Sequence, residues 1–227
     1  MVIEGIIFDL DGTIVNSEQL QFLIFKRWLK SYGKTLEWEY WRYHCFGKTA
    51  FEISKDLAEH FSIDIDNTRE SLTTGFQHYR ELIESGHLQV IDGFYDFLEW
   101  ASSTGLSLII ASNSEPQLIE MTLKGVNLWN KIDFVSRMDA GVPKPDPEIY
   151  LAAGRRMGLS PAECLIIEDF PICVDTAKKI GSLVIAIKSD FDESNFANAD
   201  LVIEDYNDQR LRPFICSKIS QESDQRG

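Results

Sequence analysis

The stretch Val2-Ile3-Glu4-Gly5-Ile6-Ile7-Phe8-Asp9-Leu10-Asp11-Gly12-Thr13-Ile14-Val15-Asn16 decides how this chain is read. Val2 to Ile7 is short, mostly apolar and β-branched, the pattern of a strand buried on both faces. Two aspartates, Asp9 and Asp11, then follow two residues apart, a spacing that points both side chains the same way in a strand. Carboxylates crowded at a strand end repel each other unless a cation lies between them. Mg2+ suits that place, because it takes carboxylate oxygens and keeps positions open for a substrate phosphate. Gly12 lets the chain turn sharply off the strand. An acidic turn would look the same locally, since Asp-Gly is a common turn pair. The residues further along decide between the two.

After this stretch, residues 17–88 carry helical patterns and no convincing strand. Ser17 is placed to cap a helix reaching Tyr32, with Gly33 as its stop and Leu20, Leu23, Ile24, Trp28 and Leu29 as the expected buried stripe. Further helices are expected over Leu36–Tyr43, Ala50–Phe61 and Asn67–Glu84. From Leu88 onward strand and helix alternate. Gly93 precedes a helix with Phe94, Phe97, Leu98 and Ala101 on one face. The strand Leu106–Ala111 runs into Ser112-Asn113-Ser114, where Ser114 is expected to cap a helix carrying Pro116 in its first turn. A weaker strand at Phe134–Ser136 and a helix over Glu148–Met157 follow. Ser160 and Glu163 have capping-box spacing. The strand Cys164–Ile167 ends in Glu168-Asp169, and a helix to Ile180 leads to strands Leu183–Ile187 and Leu201–Ile203.

That alternation signals a parallel sheet with helices on both faces, and Val2–Asp9 belongs to it by character. The expected fold class is therefore α/β, a parallel-sheet core with an inserted all-helical unit. The core spans 1–16 and 89–217, the helical insertion 17–88, and a polar tail 218–227 is expected to fray.

A length of 227 residues fits one large domain or a core with a smaller insertion. The net charge of −14 argues against nucleic acid and anionic membrane as partners. An anionic substrate then needs a locally arranged cation. Cys45, Cys164, Cys173 and Cys216 are scattered without metal-ligand spacing, as reduced thiols of a cytoplasmic protein would be. No signal-peptide pattern opens the chain, and no run approaches the ~20 apolar residues of a membrane span. Oligomeric state is not legible, and a monomer is the working expectation.

In open parallel sheets ligands bind outside the carboxyl ends of the strands. Asp9, Asp11, Ser112, Glu168 and Asp169 all fall at such ends. Lys144 sits between Pro143 and Pro145, which restrict the backbone around it. Singly, these residues read as caps, a solvated loop charge and an acidic strand exit. Jointly they describe phosphoryl transfer. A carboxylate can attack phosphorus, while a divalent ion, a hydroxyl and a lysine neutralise and hold the phosphoryl oxygens. A second acid can protonate the leaving alkoxide and later deprotonate water.

This ordered set resembles the haloacid dehalogenase superfamily, in particular its phosphatases related to β-phosphoglucomutase with a small helical cap. The motifs that carry the resemblance are Asp9-Leu-Asp11-Gly-Thr13, Ser112-Asn113, Lys144 within Lys-Pro-Asp-Pro, and Glu168-Asp169. It implies a Rossmann-like core and an inserted cap. It further implies that Asp9 is the nucleophile and a Mg2+ ligand, and that Asp11 is the general acid/base with its backbone carbonyl on the metal. Ser112, Asn113 and Lys144 would bind the phosphoryl group, and Asp169, with Glu168 close by, would complete the metal site. The dehalogenases lack the second aspartate, so Asp11 points to phosphate chemistry on a small phosphorylated metabolite, a sugar phosphate among the options, through an aspartyl-phosphate.

Three residues depart from the family pattern: Asn16 for Asp, Phe170 for Ser and Cys173 for Gly. In the cap, Gln21 stands where the mutase has a histidine. Phe46 and Ala50, around Gly47-Lys48-Thr49, stand where it has a lysine and an arginine. A mutase must clamp a second phosphate, so these changes disfavour it. Gln21 and Lys48 are the candidate cap contacts to substrate, and Lys48, His44 and Arg42 together could form a substitute clamp. The alternatives are the sugar-phosphate mutase and a non-catalytic phosphate-binding protein, the latter disfavoured because a sensor needs no leaving-group acid.

Overall fold

In the computed structural model, six strands form one parallel sheet among the described residues, which are 2–46, 48, 50–64, 68–188, 191 and 193–219, without the side chains of 68–74 and 76. The strands are β1 (Gly5–Phe8), β2 (Ser107–Ser112), β3 (Asp133–Ser136), β4 (Cys164–Glu168), β5 (Leu183–Ile187) and β6 (Leu201–Ile203). The helices are α1 (Glu18–Ser31), α2 (Trp38–His44), α3 (Ala50–Phe61), α4 (Thr68–Glu84), α5 (Phe94–Ser103), α6 (Pro116–Gly125), α7 (Arg137–Ala140), α8 (Glu148–Met157), α9 (Pro171–Lys179) and α10 (Leu211–Cys216). Gly47, Thr49, the expected helix start at Asn67 and the tail from residue 220 lie outside the described residues. Among those described, no helix is long and apolar enough to cross a membrane.

The chain divides into two compact units, Met1–Val15 with Val90–Gly227, and Asn16–Gln89. The sheet lies in the first, in the order β3-β2-β1-β4-β5-β6. Every residue of β1 and β4 is buried, as an apolar run covered on both faces requires. On one face Ile7, Ile109, Val135, Ile166 and Val184 pack with Ile149, Tyr150 and Ala153 of α8 and Val174 and Ala177 of α9. On the other, Phe8 meets Phe94 and Phe97 of α5 edge-on at 5.6 and 6.2 Å. Each such ring contributes about 1.5–3 kcal/mol by leaving water.

In the helical unit, Phe22, Phe25 and Leu29 of α1 form a core with Leu36, Trp41, Cys45, Ile53 and Leu57. Leu20 and Leu29 of the expected stripe are buried, but Leu23 is exposed, Ile24 and Trp28 are half-buried, and Phe22 and Phe25 are buried instead. Both sets satisfy helical spacing. The phenylalanines face α2, where Phe22 meets Trp38 at 5.0 Å and Phe25 meets Trp41 at 5.6 Å, while Trp28 packs at the edge of the same core. Ser17 occupies the N-cap position of α1 in helical conformation without a capping side-chain bond.

The Ser160 capping box forms, Glu163 accepting from the Ser160 N–H at 2.7 Å. A second box opens α7, a helix of four residues that is too short to show periodicity. There Asp139 Oδ2 accepts from the Ser136 N–H at 2.8 Å and from its Oγ at 2.5 Å, while the Asp139 N–H donates back to Ser136 Oγ at 3.4 Å. The Ser136 hydroxyl and N–H hold the Asp139 carboxyl below its ordinary value. Its contribution is therefore complete above the normal carboxylate range and is lost on acidification through that range. Ser136→Ala is expected to cost about 1 kcal/mol at neutral pH. The urea midpoints of parent and variant should converge as the pH falls below the carboxylate range.

Candidate active site

The chain leaves β1 for β2 and β3 on one side and then crosses to β4 on the other, so the β1/β4 boundary is the switch point where such sheets open a crevice. Phe8 lies in register with Ile167, and the Asp9 N–H donates to the Ile167 carbonyl at 2.9 Å. That single register brings Asp9, Glu168 and Asp169 to one level. Their ligand atoms all lie within 4.8 Å of one another, and all three residues are buried.

Strand conformation does not carry Asp11, as the two-residue spacing had implied; β1 ends at Phe8. A turn follows in which the Gly12 N–H donates to the Val15 carbonyl at 2.8 Å and the Ile14 and Val15 N–H groups donate to the Leu10 carbonyl at 2.9 and 3.0 Å. The Tyr206 hydroxyl closes the turn from behind, donating to the Thr13 carbonyl at 3.1 Å. Gly12 has φ +83°, and a Cβ there would lie 2.1 Å from Asp169 Oδ2. Backbone strain of this kind costs roughly 1–3 kcal/mol. Gly12→Ala should therefore displace the Asp169 carboxylate, and calorimetric titration should show Mg2+ binding weakened by tenfold or more, on the order of one such strain increment.

Asp11 turns to the end of β2. Its Oδ2 accepts from Ser114 Oγ at 3.0 Å and, at a long 3.4 Å, from Ser112 Oγ, while Ser112 Oγ accepts the Ser114 N–H at 3.0 Å. Ser114 is thus bound to the site rather than capping α6, whose N-cap is Glu115. Asn113 holds the lysine loop, its Oδ1 accepting from the Lys144 N–H at 2.7 Å and its Nδ2 donating to the Lys144 carbonyl at 3.3 Å.

The Lys144 ammonium is buried between two acids, 2.6 Å from Asp9 Oδ1 and 2.5 Å from Glu168 Oε1. Glu168 Oε1 also accepts from the Tyr150 hydroxyl at 2.6 Å, and its Oε2 accepts from the Asp169 N–H at 3.2 Å. Burial opposes the lysine's charge, but Asp9 and Glu168 outweigh it and raise Lys144 above its ordinary value. Burial pushes the Asp9 carboxyl up to about 7, with Glu168 and Asp11 adding to the shift and Lys144 opposing it. One ammonium therefore faces more carboxylate than it can neutralise.

That imbalance and the all-oxygen donor set of Asp9, Glu168 and Asp169 fit a hard divalent cation such as Mg2+. Asp9, Asp11, Ser112, Asn113, Lys144, Glu168 and Asp169 thus lie together in the α/β unit, with Ser114, Tyr150 and Tyr206 beside them. The second hydroxyl of Ser-Asn-Ser was a visible signal for Ser114. Tyr150 and Tyr206 gave none, because each looks like an ordinary core aromatic. In the helical unit Lys48 Nζ pairs with Asp56 at 2.6 Å, His44 stacks on Tyr40 at 4.4 Å, and Gln21 lies half-buried on α1.

A family profile of haloacid dehalogenase-like hydrolases matches residues 6–187. The phosphorylated carbohydrates phosphatase of Thermotoga maritima is 28% identical over 181 residues, covering 78% of this chain and 82% of that protein. Hexitol phosphatase A of Escherichia coli is 26% identical over 201 residues, covering 88% of this chain and 90% of that protein. The fold is similar to that of CbbY from Rhodobacter sphaeroides, crystallised in complex with phosphate, with a TM-score of 0.78 at 20% identity over 91% of this chain and 96% of that one. With residues 6–187 matched by that profile, most of its length, the chain belongs to the haloacid dehalogenase-like hydrolase family.

Proposed function

We propose that this protein is a Mg2+-dependent phosphatase that hydrolyses a small phosphorylated metabolite, with a sugar phosphate as the first class to test. The observation that carries the reading is the buried Lys144 ammonium touching Asp9, beside a second acid, Asp11, held by Ser114. Two relatives named for phosphatase action on phosphorylated carbohydrates and hexitols support the substrate class.

In this reading an Asp9 carboxylate oxygen attacks phosphorus, the ester P–O bond breaks, and Asp11 gives its proton to the departing alkoxide. Asp11 then takes a proton from the water that attacks the aspartyl-phosphate, releasing inorganic phosphate and restoring Asp9. Ser112, Asn113 and Lys144 hold the phosphoryl oxygens. Mg2+, held by Asp9, Asp169 and the Asp11 carbonyl with Glu168 adjacent, would supply charge neutralisation between nucleophile and phosphate. The unit Asn16–Gln89 would serve as the cap that selects substrate, with Gln21 and Lys48 as its contacts. The absence of a second phosphate clamp at Phe46 and Ala50 favours hydrolysis over mutase action.

A panel of phosphorylated metabolites assayed for phosphate release with Mg2+ tests the reading, and no release from any of them would overturn it. Chelation should abolish turnover and Mg2+ should restore it. Asp9 protonates near 7 in the metal-free protein, so Mg2+ binding displaces a proton below that pH. Mg2+ affinity should then rise with pH up to about 7, by at most about tenfold per unit, and level off above it. By the same linkage the metal-free protein loses stability as the pH rises from the ordinary carboxylate range toward 7, because the folded state holds the extra proton. Saturating Mg2+ should erase that trend.

A further inference from the structure

Tyr150 lies on α8 among apolar neighbours, and its ring would pack equally well as phenylalanine. Its hydroxyl is a separate matter. A buried phenol needs a hydrogen-bond partner, and this one donates to Glu168 Oε1 at 2.6 Å, the same oxygen that receives Lys144 Nζ at 2.5 Å. Lys144 Nζ also stands 5.0 Å from the centre of the Tyr150 ring. Tyr150 therefore touches both members of the ion pair behind Asp9.

Glu168 could hold the ammonium alone, and the closer it holds it, the less of that charge reaches Asp9. A second donor on Oε1 shares the oxygen's charge and limits the pull. The other Glu168 oxygen is engaged by the Asp169 and Phe170 N–H groups at 3.2 and 3.5 Å, so the carboxylate cannot rotate away without breaking bonds. Asn113 fixes the lysine's backbone from the opposite side. The ammonium thus bridges Glu168 and Asp9.

We infer that Tyr150 is a positioning residue of this site: its hydroxyl shares Glu168 Oε1 with Lys144 and so keeps the ammonium available to Asp9 and to the phosphoryl group. This rests on the roles proposed above for Asp9 and Lys144. Tyr150→Phe keeps the ring and removes the bond to Glu168, together with the contact its hydroxyl makes with the Cys173 thiol. Lys144 should then settle on Glu168, and a phosphoryl group should lose part of its cationic partner.

The test compares parent, Tyr150→Phe, Glu168→Gln and the double variant, by calorimetry with inorganic phosphate and with Mg2+ alone, and by turnover. Tyr150→Phe should weaken phosphate binding about fivefold and lower kcat about tenfold, the net size of an ordinary hydrogen bond. Mg2+ affinity should be unchanged or tighter. In the Glu168→Gln background the same substitution should add little, because the two residues act through one contact. Parent-like phosphate affinity in Tyr150→Phe overturns the inference. So do additive effects in the double variant, and so does a joint fall of phosphate affinity, Mg2+ affinity and melting temperature, which marks general loosening. A parent that binds phosphate with Mg2+ yet releases none from any ester overturns the phosphatase reading instead, and the binding comparison still decides the role of Tyr150.

Discussion

Asp9→Asn is expected to reduce phosphate release by about 10^4-fold or more in kcat on every ester the parent accepts, as removal of a nucleophile does elsewhere. The amide has nearly the shape of the carboxylate and still accepts a hydrogen bond from Lys144, which stands 2.6 Å from Asp9 Oδ1. It cannot form an acyl phosphate. Fold and chemistry should therefore separate. Circular dichroism should show a folded protein, and at pH above 7 its metal-free form should escape the cost that burial places on ionising Asp9. Parent-like turnover by this variant would refute covalent catalysis at Asp9. An unfolded variant would instead mean that the carboxylate is structural, and retained calorimetric binding of phosphate would argue the reverse.

Lys144→Met is expected to be the most destabilising single change in the site. The lysine side chain is 4% exposed, and its partners Asp9 and Glu168 are 10% and 1% exposed. Removing one member of such a cluster leaves buried carboxylates facing each other, a loss of about 3–5 kcal/mol. Activity should fall by about 10^2–10^3, the cost of deleting one preorganised contact to developing charge. Mg2+ should raise the variant's melting temperature more than the parent's, because the ion replaces the missing cation. Equal stabilisation of both proteins by Mg2+ would mean that the metal and the lysine do not share the same carboxylates.

Much of this site was legible from residue types at strand ends. Asp9, Asp11, Ser112, Lys144, Glu168 and Asp169 lie at β-strand exits or in a proline-flanked loop, and local pattern reveals both. Ser114 was legible as a residue but not as a role, since a hydroxyl ahead of Pro116 is equally a helix cap. In the structure it binds Asp11 across 103 positions of sequence. The buried stripe of α1 was misplaced by one or two positions because helical spacing alone does not rank Phe22 and Phe25 above Ile24 and Trp28. That ranking came from partners on α2. α7 and α10, of four and six residues, are too short for a period to show.

The order of apolar runs, the alternation of strand and helix after residue 88 and the acid, hydroxyl and lysine motifs are local properties, and the sequence by itself determined them. Which donor meets which oxygen was decided only when β1 and β4 paired. Lys144 reaches Asp9 from 135 positions away, and the Tyr150 and Tyr206 hydroxyls find Glu168 and the Thr13 carbonyl only once the sheet closes over them. Hydrogen bonds act over about 3 Å, whatever the separation along the chain, so no reading of neighbours in sequence could assign them.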